Sequence, residues 1–133
     1  MKVVNQLSPT PEQLQALIGN PPEGRVVMVN LLKFHERAQY EDGDRGMSGG
    51  EAFSKYAEGL FALIEKLGGK ALYSGKVAGI VIGEVEDNWD RIAFMELPSI
   101  AAFQRMLMSP EYQEIASHRS AGLKGQLLIP TTI

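Results

Sequence analysis

One stretch limits the possible folds more than any other. Residues 25–34, Arg-Val-Val-Met-Val-Asn-Leu-Leu-Lys-Phe, are the most β-prone run in the chain. Side chains alternate across a strand, so Val27, Val29 and Leu31 fall on one side and Met28, Asn30, Leu32 and Phe34 on the other. Asn30 is the polar exception on its side. A strand that is apolar on both sides belongs in the middle of a sheet, and both of its faces must be covered.

The remaining elements say what supplies one cover. Residues 1–9 read as a loose arm, and Thr10-Pro11-Glu12-Gln13 as a helix start that ends at Gly19-Asn20-Pro21-Pro22. After the strand, residues 35–50 are charged and glycine-rich, which predicts a mobile loop or one ordered by a partner or ligand. Ser48-Gly49-Gly50-Glu51 is a capping box, and Phe53, Tyr56, Leu60, Ile64 and Leu67 recur at helical spacing as far as Gly68-Gly69. Residues 70–85 read as a bent strand or a hairpin. Gly75, Gly79 and Gly83 would then share one face, either as bulges or as a bare surface where a ligand or a subunit approaches. Glu86-Asp87-Asn88 is a turn, and residues 89–97 are a further strand. Ser99 and Ser109-Pro110 each start a helical segment, Gly122 closes the second, and Leu123–Ile129 is a last strand before Pro130.

Strand, helix, strand or hairpin, strand, helix, strand is the split βαβ order of an α+β, ferredoxin-like fold with an antiparallel sheet. Its helices cover one face. The other apolar face is covered most economically by a second copy in an isologous homodimer. The 133 residues suit one such domain over 25–133, preceded by the arm and short helix of 1–24.

Composition narrows the function classes. There is no cysteine, which excludes disulfides, thiolate metal sites and cysteine nucleophiles. The net charge of −3 argues against nucleic acid or an anionic membrane as the main partner. No apolar run approaches the ~20 residues of a membrane span, and no secretory signal is apparent, so a cytoplasmic location is expected.

Residues 51–129 resemble the family called domain of unknown function 1330, in the dimeric α/β-barrel superfamily. The features that carry the resemblance are Gly68-Gly69-Lys70, Phe94-Met95-Glu96-Leu97-Pro98-Ser99, Ser109-Pro110-Glu111-Tyr112-Gln113 and the downstream Arg119. The resemblance implies the fold and a dimer. It implies no reaction, because the family has no general assigned activity and its superfamily hosts many.

Several residues are candidates for a site. Asn30 must find hydrogen-bond partners inside an apolar strand, from a ligand or from neighbouring backbone. Glu96 shares a strand face with Ile92 and Phe94; buried there, it would be a general base. His118 could transfer a proton, and Arg119 could bind a carboxylate, although a cation near a helix end also needs no ligand to explain it. Asn30, Glu96 and His118 are therefore the catalytic candidates. Trp89, Tyr112, Arg119 and Tyr73 are the ligand-binding candidates, through stacking, hydroxyl groups and charge. His35 and His118 are the only histidines, so no metal site is expected, and no cofactor either. Asn30, Trp89 and His118 match by residue type a constellation used by some haem-degrading enzymes of the superfamily, but their spacing is not diagnostic.

The leading expectation is a homodimer that binds a small apolar molecule and acts on it as a cofactor-independent monooxygenase, isomerase or lyase. The alternatives are a non-catalytic binding module and a purely structural dimer. An enzyme should place a buried titratable group with a shifted pKa beside Asn30; a binding module should have an apolar pocket without one.

Overall fold

The computed structural model describes residues 3–133; Met1 and Lys2 of the expected arm lie outside the described residues. The elements are α1 (Pro11–Gly19), β1 (Val26–Phe34), α2 (Gly49–Lys66), β2 (Lys70–Lys76), β3 (Arg91–Leu97), α3 (Ile100–Met108), α4 (Pro110–Gly122) and β4 (Leu123–Thr132). The four strands form one antiparallel sheet in the order β2-β3-β1-β4, the ferredoxin-like arrangement, with β1 inside it.

Capping sets the helix starts. Thr10 with Gln13 and Ser48 with Glu51 form complete capping boxes, and Ser99 and Ser109 each accept a backbone N–H of the following turn. Gly68, at φ +83°, takes the chain out of α2 into β2 through the left-handed region.

The main core lies on the helix side of the sheet. Val26, Met28, Met95 and Leu97 meet Tyr56, Leu60 and Ile64 of α2 and Ile100, Phe103 and Met106 of α3. Each such side chain contributes about 1.5–3 kcal/mol by leaving water. Glycines let α2 and α4 approach closely. A Cβ on Gly122 would stand 2.5 Å from the Gly49 carbonyl oxygen and 3.0 Å from the Phe53 nitrogen.

The opposite face is also apolar. Register and alternation place Val27, Val29, Leu31, Ile92, Phe94, Leu127 and Ile129 there. In the single chain these side chains are only partly covered, and Ile129 is 45% exposed.

Three segments differ from the reading of the sequence. The strand expected over 70–85 ends at Lys76, and the chain then loops to Asp90. Gly79 and Gly83 adopt φ +155° and +97° in that loop, so these glycines serve bends, the alternative to a shared bare face. Only Gly75 lies in the strand, under the ring of Tyr73. The loop instead presents Ile80, Val81 and Ile82, of which Val81 is 99% exposed. Next, the charged loop after β1 is ordered by its own chain. Arg37 pairs with Asp44 at 2.7 Å and Arg45 with Asp42 at 2.9 Å. Ala38 and Tyr40 are buried against Ala52 and Ala121, and the Gln39 N–H donates to the Ala121 carbonyl at 2.8 Å. Finally, β4 continues through Pro130 to Thr132. It is an edge strand, where a residue lacking an N–H is tolerated.

The amino-terminal arm is not loose over its described part. Gln6 bridges to Gln126 of β4, and the Asn5 side chain lies against Gly125.

Two glycine substitutions test the packing. Gly122→Ala is expected to destabilise by about 1–3 kcal/mol through overpacking. Gly50→Ala, with nothing nearer than Phe34 at 3.6 Å, is expected to stabilise by about 0.5–1 kcal/mol. Urea melts of both variants read the opposite signs.

Candidate functional site

A narrow crevice of about 40 Å³ runs between the helix side of the sheet and α2. It has room for about three water-sized groups. Its walls are largely apolar, with Leu32, Phe53, Leu60 and Phe61 among them, and its polar groups are Asn30, Gln126, Arg119, Ser74 and the Tyr56 hydroxyl.

Asn30 lies at the centre of β1 and points to the helix side. Its Nδ2 donates to the carbonyls of Met28 and Ala93, both at 3.3 Å. Its Oδ1 accepts Gln126 Nε2 at 2.8 Å. Gln126 Oε1 in turn accepts Arg119 Nη2 at 2.7 Å, and the same nitrogen donates to the Leu7 carbonyl at 2.8 Å. The chain of bonds decides both amide orientations, because an amide oxygen cannot face a carbonyl oxygen. It also ties the middle of the sheet, α4 and the amino-terminal arm together.

Tyr56, buried on α2, shares a hydrogen bond of 3.0 Å with the Tyr112 hydroxyl of α4. Burial holds its pKa well above the ordinary 10.0; neighbouring Tyr112 adds to the shift and Arg119 opposes it. The hydroxyl therefore stays protonated at neutral pH.

Of the residues singled out in the sequence, Asn30 and Arg119 meet in this crevice, and Tyr112 adjoins it through Tyr56. The others lie elsewhere. Glu96 is on the outer face, paired with Arg25 at 3.4 Å. Trp89 precedes β3; its Nε1 donates to Asn5 Oδ1 at 2.9 Å, and Lys33, on the face opposite Asn30, stands 6.0 Å over its ring. Tyr73 lies on the outer face beside Phe94. His118 turns to the loop after β1, where Nδ1 pairs with the Tyr40 hydroxyl at 2.6 Å. Asn30, Trp89 and His118 thus do not converge, so the residue types that suggested haem chemistry form no common site.

Gln126 is the residue that reading the sequence left out. Its signal is the one that marked Asn30, an amide within an apolar strand. Among the described residues no group of three or more His, Asp or Glu is placed to hold a metal ion. No helix among them is long and apolar enough to cross a membrane.

Comparison with known proteins places this geometry in context. Residues 46–132 match the model of a family described as domain of unknown function (DUF1330). The chain belongs to that family. A solved structure of RPA0582, a protein of unknown function from Rhodopseudomonas palustris, shares 32% identity with a TM-score of 0.86, covering 98% of each chain. More distant structures share the fold. The hydroxynitrile lyase from Passiflora edulis matches at 14% identity and a TM-score of 0.58, over 84% of this DUF1330 chain and 95% of the lyase. A dimeric ferredoxin-like protein of unknown function from Bacteroides fragilis matches at 12% and 0.54, over 82% and 96%. No curated protein matches the sequence.

Two measurements test the local interactions. Asn30→Ala leaves Gln126 Nε2 without its acceptor and is expected to cost about 1–3 kcal/mol in a urea melt. Burial, followed by the cations Lys55 and Arg45, holds His118 below its ordinary 6.5. The unfolded chain therefore takes up this proton first as pH falls. The neutral imidazole's contribution is complete above pH 6.5 and declines as pH drops toward the folded-state value. Thermal stability is expected to fall between pH 7 and 5, and His118→Gln to remove part of that fall.

Proposed function

We propose that this protein is a homodimer that binds a small, largely apolar molecule in the crevice under α2. The observation that carries the reading is the Asn30–Gln126–Arg119 chain, which ends a mostly apolar crevice with fixed polar groups. Such a lining suits a compact hydrocarbon body with one polar end.

Binding is favoured over catalysis by the crevice's own chemistry. The crevice does hold a buried titratable group with a raised pKa beside Asn30, Tyr56, as an enzyme should, but that hydroxyl stays protonated, and among the described residues no carboxylate or histidine lines the crevice to act as a base. One observation favours a second reading. Tyr56 and Arg119 both line the crevice, and a hydroxyl and a cation are the kinds of group that stabilise negative charge developing on a carbonyl oxygen. That reading would make the protein a cofactor-independent enzyme of lyase, isomerase or monooxygenase type, and the fold shared with the Passiflora lyase is compatible with it.

The outer face of the sheet is what favours a dimer. Val29, Leu31, Ile92 and Phe94 need a cover that the chain does not supply, and the exposed Ile80-Val81-Ile82 tip adds to the apolar surface. A second copy covers such a face isologously, and the Bacteroides neighbour is dimeric by its description. The acidic net charge and the absence of cysteine fit a cytoplasmic protein that does not bind nucleic acid.

Native mass spectrometry of freshly purified protein tests both parts. The expected result is two chains with a fixed excess mass that is lost on denaturation. A single chain would contradict the dimer. A dimer that takes up no small molecule in subsequent screening would reduce the crevice to a structural seam.

A further inference from the structure

We infer that the ligand of the crevice is an organic carboxylate, and that the Arg119 guanidinium is what recognises its charge. This rests on the reading of the crevice as a small-molecule site. Of the six arginines, Arg25, Arg37 and Arg45 each have a carboxylate within 3.4 Å, whereas Arg91, Arg105 and Arg119 have none within ion-pair distance among the described residues. Arg119, which is half-buried, is the one cation lining the crevice. Both of its hydrogen bonds leave from Nη2, and both end on neutral oxygens, of Leu7 and Gln126. A guanidinium carries five N–H donors in a planar fork. Those on Nε and Nη1 have no acceptor among the described residues.

A cation taken partly out of water without a counter-charge is costly, and an anion that completes its fork recovers that cost. The surroundings select the anion. Leu32, Phe53, Leu60 and Phe61 are apolar and the crevice is only about 40 Å³, so the ligand's body is a short alkyl group. A single guanidinium suits one negative charge better than the two of a phosphate monoester. The planar, bidentate match of carboxylate to guanidinium suits it further. Tyr56 lines the same crevice, with its hydroxyl bonded to that of Tyr112.

The test is calorimetric titration of the intact protein with matched pairs small enough for the crevice: acetate against acetamide, and propionate against propionamide. The carboxylates are expected to bind at least about tenfold more tightly than their amides, with an advantage that shrinks as salt is raised. Arg119→Met should abolish the advantage, and Arg119→Lys should keep part of it. Acid and amide binding equally well would overturn the carboxylate inference and leave the small-molecule crevice standing. So would an advantage that survives in Arg119→Met. Failure of all four probes to bind would count against the crevice itself. Should Arg119→Met not fold, the lysine variant and the salt dependence of the unaltered protein decide the matter by the same criteria.

Discussion

β1 is apolar on both faces and lies between two other strands, so it cannot be left with either face in water. Nearly every larger feature of the chain answers this requirement. The capped helices α2, α3 and α4 cover the side that carries Val26, Met28 and Leu32. Close approach at Gly49 and Gly122 lets α2 and α4 lie side by side over the sheet. The other side, around Val29 and Phe94, has no such cover among the described residues, and the proposed second copy is the answer to that half of the same constraint.

Asn30 is where β1 departs from its own pattern. An amide in the middle of an apolar strand has to be satisfied locally, and satisfying it draws in Gln126, then Arg119, then the Leu7 carbonyl. One buried polar group thereby organises the polar end of the crevice and anchors the amino-terminal arm.

Much of the fold was legible because its signals are local. Alternation marked β1, serine and threonine caps marked the helix starts, and the order of elements led to the sheet topology. The stretch 70–85 was misread because valine, isoleucine and glycine serve a strand and an extended loop alike. What decides is the positive φ at Gly79 and Gly83, which sequence spacing does not reveal. The loop after β1 was misread for a different reason. Its order comes from Tyr40 meeting His118 and Gln39 meeting Ala121, partners about 80 residues away in the chain. The candidate site divides in the same way. Asn30 and Arg119 could be singled out from strand and helix patterns, whereas the neighbours of Trp89 depend on an arm that packs from the far end of the chain. Glu96 could be assigned to a face, but alternation does not say which face the helices cover.

The proposed cover of the outer sheet face is a second copy of the chain. Hydroxyl-radical footprinting over a range of protein concentrations addresses it most directly, with Met108, 82% exposed on α3, as an internal reference. With the face covered, Phe94 and Ile129 are expected to be protected relative to Met108 at high concentration and to gain reactivity together on dilution. Oxidation of both at an unchanging rate at every concentration, in step with their exposure in the single chain, would contradict it.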